Sequence, residues 1–281
     1  MATYSQIPYD DFGGDGPALH FAHANGYPPR AYAPLLQRMT AHYHVFAMHL
    51  KPLWSQSSPA TLHDWQPFAD DLLQFLKQRQ KWGSIGVGHS IGGTTTLRAA
   101  LRLPDLFRAV ILLDPVILPI YAVHLWKMLT KLGLAQRVLP LARKTRKRQQ
   151  VFESHAAMFA SYRDKTVFRD IDGVGLHAIV DALVLPQPDG KVRLIYPPEW
   201  EAQIYITGLV ADEELWRQLP TLKPPLLVIR GKNSNVFREK TGLLFKHSLP
   251  NAVIRSVHNA GHLVPFEQPA EVFRLIQEFL G

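Results

Sequence analysis

Ser84-Ile85-Gly86-Val87-Gly88-His89-Ser90-Ile91-Gly92-Gly93 is the stretch that decides how the chain is read. A short apolar run stops abruptly at Gly88-His89-Ser90-Ile91-Gly92 and passes at once into residues 94–102, rich in Ala and Leu and helical in character. Strand, sharp turn and helix is the arrangement that pushes a serine hydroxyl out of the backbone at the end of a sheet. The glycines two before and two after Ser90 have a steric task. In so tight a turn the neighbouring backbone leaves no room for a Cβ, and Ser90 itself is expected in a strained φ/ψ region. Five residues of pattern are weak alone, so the flanking chain must supply the context.

At 281 residues and 47% hydrophobic content, the chain can bury one large core, or one core plus a smaller attached unit. It has no cysteine, which excludes disulfides, Cys-ligated metals and a thiol nucleophile. Among the 13 histidines no His-x-x-x-His or Glu/His pairing suggests a metal, so no metal site is expected. Residues 1–16 are polar, carry Asp10, Asp11 and Asp15, and lack the basic start and apolar stretch of a signal peptide. No run reaches the roughly 18–20 apolar residues that span a bilayer. The expectation is a soluble, cytoplasmic protein.

The formal charge is +8, and it is unevenly spread. Between Asp114 and Glu153 there are eight Lys/Arg and no acid, ending in Arg143-Lys144-Thr145-Arg146-Lys147-Arg148. The plain reading of this run is a solvated helix face. The alternative is a peripheral contact with anionic membrane, or steering of acidic substrates. Nucleic acid is set aside, because no recognition motif accompanies the charge.

Apolar runs at 18–22, 43–48, 84–88, 109–113, 225–231 and 252–257 read as strands, and amphipathic spacing predicts helices over 31–41, 62–81, 237–248 and 269–280. This alternation argues for an α/β fold, a mostly parallel, doubly wound sheet covered on both faces. From 116 to 219 the texture changes to Leu-, Ala-, Arg- and Lys-rich helical segments, with a turn at Pro188-Asp189-Gly190. The expected division is a core of residues 1–115 and 220–281, with residues 116–219 inserted between two sheet strands as a mainly helical cap. An insertion at the carboxyl ends of the strands would sit over the crevice where ligands bind.

A serine hydroxyl needs a base to take its proton and a third group to hold that base. Ser90, Asp114 and His262 each follow a predicted strand, so their loops converge on one edge of a parallel sheet. His23-Ala24-Asn25-Gly26 after an early strand, the turn at Ser90, Asp114, and Gly261-His262 with Pro265-Phe266 together resemble the capped α/β-hydrolases over nearly the whole chain. The resemblance implies Ser90 as nucleophile and His262 as general base, then general acid.

In many members of that family the acid lies after the strand that follows the cap. Here that loop reads Gly231-Lys232-Asn233-Ser234-Asn235-Val236, without a carboxylate. In a second group the acid follows the strand before the cap, where Asp114 stands. The competing reading is that Asp114 merely caps the start of the insertion while Asn235 or a cap residue orients the histidine. The resemblance further implies an oxyanion hole from the backbone N–H groups of Ile91 and Asn25, with Ala24 standing where many relatives have Gly. His23 is read as bracing its loop. Trp54, Trp126 and His89 are candidate substrate contacts, although large aromatics are more often core and His89 more simply packs beside the turn.

The leading expectation is a serine hydrolase of esterase or lipase type that cleaves a carboxylic ester through an acyl-enzyme. Lactone, amide or carbon–carbon cleavage on the same residues is the alternative chemistry. A slow or non-catalytic receptor for a small ligand is the alternative class. No cofactor is implied.

Overall fold

A computed structural model describes residues 7–55, 57–134, 140–208 and 212–281. Arg137 of the basic run and the first six residues lie outside the described residues. In chain order the strands are β1 (Tyr9–Gly13), β2 (Ala18–Ala22), β3 (His44–Met48), β4 (Ser84–His89), β5 (Phe107–Leu113), β6 (Val151–Phe152), β7 (Val184–Pro186), β8 (Val192–Leu194), β9 (Leu226–Gly231) and β10 (Val253–Val257). Seven of them form one sheet in the order β1-β3-β2-β4-β5-β9-β10. Every pairing in it is parallel except that of β1 with β3.

Alternation along the strands feeds two cores, one on each face of the sheet. Val110 and Leu112 of β5, with Leu226 and Val228 of β9, join one apolar cluster, while Ile111, Leu113, Leu227 and Ile229 join the other. On β4, Ile85 and Val87 fill the second cluster, and Gly86 and Gly88 turn to the opposite face. There the helix Ile91–Arg102 lies so close that a Cβ on Gly86 would sit 2.8 Å from Thr96 Cγ2. The glycines of β4 thus let the helix that starts at Ile91 pack hard against its own strand.

Two elements differ from the sequence reading. β1 is a strand although its sequence, Tyr-Asp-Asp-Phe-Gly, is polar. It lies at the sheet edge, where carboxylates are tolerated and protect against edge-to-edge association. Asp10 there accepts from Arg30 and His49, each at 2.8 Å. The helix expected over 62–81 spans only Gln66–Gln78. Pro67 in its first turn suits a helix start, and Gln80, at φ 52, lies beyond its end. Leu62 and Trp65 are buried without being helical.

Residues 116–219 carry helices and also a small antiparallel sheet, β6-β8-β7, which the sequence reading of a mainly helical segment did not contain. The turn at Pro188-Asp189-Gly190 joins β7 to β8, with Gly190 at φ 82. Phe152, Met158, Tyr162, Leu176, Ile179 and Leu194 belong to the same apolar cluster as Leu19 and Phe21 of β2. Within the basic run, Arg143, Lys144, Arg146 and Lys147 are exposed, with no carboxylate partner among the described residues. Arg148 departs from the expected solvated face: it turns inward and pairs with the buried Glu201. No helix among the described residues is long and apolar enough to cross a membrane.

Candidate active site

Loops at the carboxyl ends of β4, β5 and β10 meet at Ser90, Asp114 and His262. Ser90 follows β4 directly, at φ 56 and ψ −121, a conformation that non-glycine residues adopt only when their surroundings impose it. The surroundings here are backbone. A Cβ on Gly88 would lie 2.3 Å from Gly92 O, and one on Gly92 would lie 2.1 Å from Ala22 O. Both glycines flanking Ser90 are therefore required by close approach. Ser90 N–H donates to Leu113 O (3.0 Å) and Asp114 N–H to Ile229 O (2.7 Å), so the sheet ladder continues past the strand ends and holds both residues in register.

Asp114 is fully buried and itself has positive φ, 41°. Its Oδ1 accepts from Ser234 Oγ (2.6 Å) and His262 Nδ1 (2.9 Å), with Phe237 N–H at 3.4 Å, and its Oδ2 accepts from Gly231 N–H (2.9 Å). His262 Nε2 lies 3.0 Å from Ser90 Oγ. A carboxylate only accepts, so Nδ1 carries the imidazole proton and Nε2 is left to accept from the serine hydroxyl. This arrangement can draw a proton from Ser90 and stabilise the imidazolium that results. The end of β9 and the loop after it, which has no carboxylate, instead supply three donors to Asp114, from Gly231, Ser234 and Phe237.

The close contact at Gly92 also presses the start of the helix Ile91–Arg102 against the loop that follows β2, since its Cβ would lie 2.7 Å from His23 O. The backbone N–H groups of Asn25 and Ile91 donate to no described residue. Ile91 opens the helix, whose dipole favours negative charge at that end. His23 is buried and neutral, because burial lowers its pKa to about 3. It donates from Nδ1 to Ala24 O (2.9 Å) and accepts at Nε2 from Leu50 N–H (3.0 Å), which braces the loop.

A family model described as the alpha/beta hydrolase family matches residues 21–275. The chain belongs to that family. Among curated proteins it is 27% identical over 262 residues to the uncharacterized hydrolase YugF of Bacillus subtilis, covering 89% of this chain and 84% of that one. It is 23% identical over 268 residues to the 2-(acetamidomethylene)succinate hydrolase of Mesorhizobium japonicum, covering 95% and 89%. Among solved structures, E-2-(acetamidomethylene)succinate hydrolase superposes with a TM-score of 0.77 at 21% identity, covering 98% and 94%. Family and named relatives make the protein a hydrolase of this fold.

In this alpha/beta hydrolase His89 is not placed to touch a substrate. It is fully buried and both ring nitrogens are taken. Ala24 N–H donates to Tyr32 Oη (3.1 Å), Tyr32 O–H donates to His89 Nδ1 (2.7 Å), and His89 Nε2–H donates to His262 O (2.9 Å). The directions are forced, since a carbonyl can only accept. Burial, and next the neighbouring His262, hold the His89 pKa well below its usual value, so the ring stays neutral. One chain of hydrogen bonds thus ties the loop after β2 to the backbone of His262. Tyr32→Phe would strand a buried N–H and a buried ring nitrogen, and it is expected to lower stability by about 2–4 kcal/mol. Denaturant unfolding measures this, and a loss below about 0.5 kcal/mol would mean the chain contributes nothing.

Trp54 packs at the edge of one core cluster and donates its indole N–H to His49 O (2.7 Å). Trp126, on the helix Ile120–Lys131, is partly buried, and its indole N–H has no partner among the described residues. Sequence reasoning missed Ser234, Tyr32 and Glu267, whose Oε2 accepts from Gly261 N–H (2.6 Å) beside His262. It also missed Glu201, whose carbonyl accepts from Asn25 Nδ2 (3.0 Å).

Proposed function

We propose that this hydrolase cleaves a carboxylic ester through an acyl-enzyme on Ser90. The observation that carries the reading is the unbroken line from Asp114 Oδ1 through His262 to Ser90 Oγ, at 2.9 and 3.0 Å. Ser90 Oγ attacks the ester carbonyl as its proton passes to His262 Nε2. The oxygen that becomes negative faces the N–H groups of Asn25 and Ile91, donors each typically worth about 10²–10³ in rate. His262 returns the proton to the departing alcohol. A water then gives its proton to His262, attacks the acyl carbonyl and releases the acid with Ser90 restored. Residues 116–219 act as the cap over this crevice, with residues 1–115 and 220–281 as the core, and Trp54 and Trp126 are candidates for the apolar wall of the acyl site.

A second reading on the same residues is cleavage of an amide. It is favoured by the relative that spans 95% of this chain and whose named substrate, 2-(acetamidomethylene)succinate, carries an acetamido group. The test is labelling by a serine-directed fluorophosphonate, combined with turnover of a chain-length panel of p-nitrophenyl esters and matched N-acyl amides. Stoichiometric labelling that is lost in Ser90→Ala, with ester turnover, is expected. Labelling with turnover of amides alone would select the second reading, and labelling without any turnover would favour a receptor.

A further inference from the structure

Beside the loop of Asn25 and Gly26 the protein buries more charge than the proposed chemistry uses. Glu201, on the helix Pro198–Thr207, is 6% exposed, and its carboxyl atoms would lie 3.2–3.4 Å from a Cβ on Gly26. Arg148 forms an ion pair with this carboxylate, and Tyr205 Oη donates to Oε1 at 3.4 Å. A second cation stands nearby. Lys165 is partly buried, with Nζ 3.7 Å from the centroid of the Tyr162 ring. Burial, then the charges of Arg148 and Lys144, lower its pKa to about 8, while Glu201 pulls the other way.

The cluster therefore sets two cations against one carboxylate, in a place where unbalanced charge is costly. Its hydrogen bonding is also incomplete. Arg148 Nε and Asn25 Oδ1 are buried with no partner among the described residues. Buried polar atoms left over in this way call for a partner. A guanidinium that is gripped by one carboxylate still offers its remaining N–H groups to a second. The position matters as much as the charge, because the loop that Glu201 touches carries Asn25, whose N–H is one of the two proposed donors.

We propose that this cluster recognises a carboxylate on the substrate, with Arg148 and Lys165 holding it and Glu201 fixing the Arg148 guanidinium in place. The inference rests on the reading of Ser90 as nucleophile, and it names the substrate class: small acyl compounds with a free carboxylate a few bonds from the scissile carbonyl. The charge steers such a substrate into one orientation, acyl carbon toward Ser90 and carboxylate toward residues 148 and 165. A purely structural clamp between the helix Pro198–Thr207 and the loop would give no preference between charged and neutral substrates.

The test uses the full-length protein. Values of kcat/KM are compared for the monoethyl esters of succinic, glutaric and adipic acids and for the ethyl esters of monoacids of similar length. Wild type is expected to prefer at least one half-ester by about tenfold or more. Lys165→Met, which leaves the Arg148–Glu201 pair intact, and Arg148→Met should each reduce that preference about tenfold. A parallel readout needs no ester turnover: glutarate or succinate should slow fluorophosphonate labelling of Ser90 in wild type, and less so in Lys165→Met. Equal turnover of charged and neutral esters, or a preference unchanged in both variants, overturns the proposal. Labelling that neither dicarboxylate slows does the same. Absence of labelling altogether would instead overturn the role of Ser90, and this inference with it.

Discussion

Ser90→Ala is expected to lower kcat by roughly 10⁵-fold or more, while the protein remains folded. The hydroxyl has a single described side-chain partner, His262 Nε2, and the alanine keeps the same Cβ in the same strained turn. Nothing in the scaffold therefore has to move. What disappears is the atom proposed to form the acyl bond, and neither the histidine nor the N–H groups of Asn25 and Ile91 can replace it. The residual rate would come from substrate binding and the two donors alone. Steady-state kinetics with denaturant unfolding as a control measure this. Activity within tenfold of wild type would remove Ser90 from the chemistry.

The second large effect is at Asp114. Asp114→Asn is expected to cut kcat about 10⁴-fold, and Asn235→Ala should leave it within about twofold. The reason lies in the count of donors around the carboxylate. Ser234 Oγ, His262 Nδ1, Phe237 N and Gly231 N all face it, and none of the bonds asks the side chain to donate. A carboxylate meets this demand, whereas an amide must turn its NH₂ toward one of the donors. If the NH₂ faces His262, the ring is driven into the wrong tautomer and Nε2 carries a proton where it should accept one. If it faces Gly231, a buried N–H loses its acceptor, and the variant also becomes less stable. Asn235 makes no described side-chain contact with Asp114 or His262; its carbonyl accepts from Arg238 Nε at 3.2 Å. A small effect at Asp114 with a large one at Asn235 would reverse the assignment.

The residues that meet at the end of the sheet were legible because each sits in a loop with a strong local signature. Gly88 and Gly92 announce a turn, and their contacts with Gly92 O and Ala22 O give the steric cause. Asp114 and His262 follow apolar runs of strand length, rich in β-branched residues. What remained hidden depends on partners far away in the chain. No local pattern says that Tyr32 will meet His89, 57 residues on, or that Arg148 will leave its basic neighbours for Glu201. β1 was hidden for a different reason: an edge strand needs only one buried face, and its two aspartates masked the alternation. Around Leu62 and Trp65 the apolar spacing reported burial rather than helix, since both are buried in a non-helical approach to Gln66. Periodicity speaks first about what faces the core, and only then about backbone shape.

The span of the chain between Ser90, Asp114 and His262 bears on how the protein comes into being. Ser90 and His262 are 172 residues apart, and His262 and Asp114 are 148 apart. During synthesis the turn at Ser90 emerges, and β4 can pair with β2 and β5, long before β10 and its loop exist. A growing chain in that state has a shaped serine but not yet the histidine that lies beside it in the finished fold. Contacts of such separation are also the slowest to close. The proposed catalytic set is therefore completed as a late event in folding, when β10 docks at the sheet edge and its following loop brings His262 to Ser90.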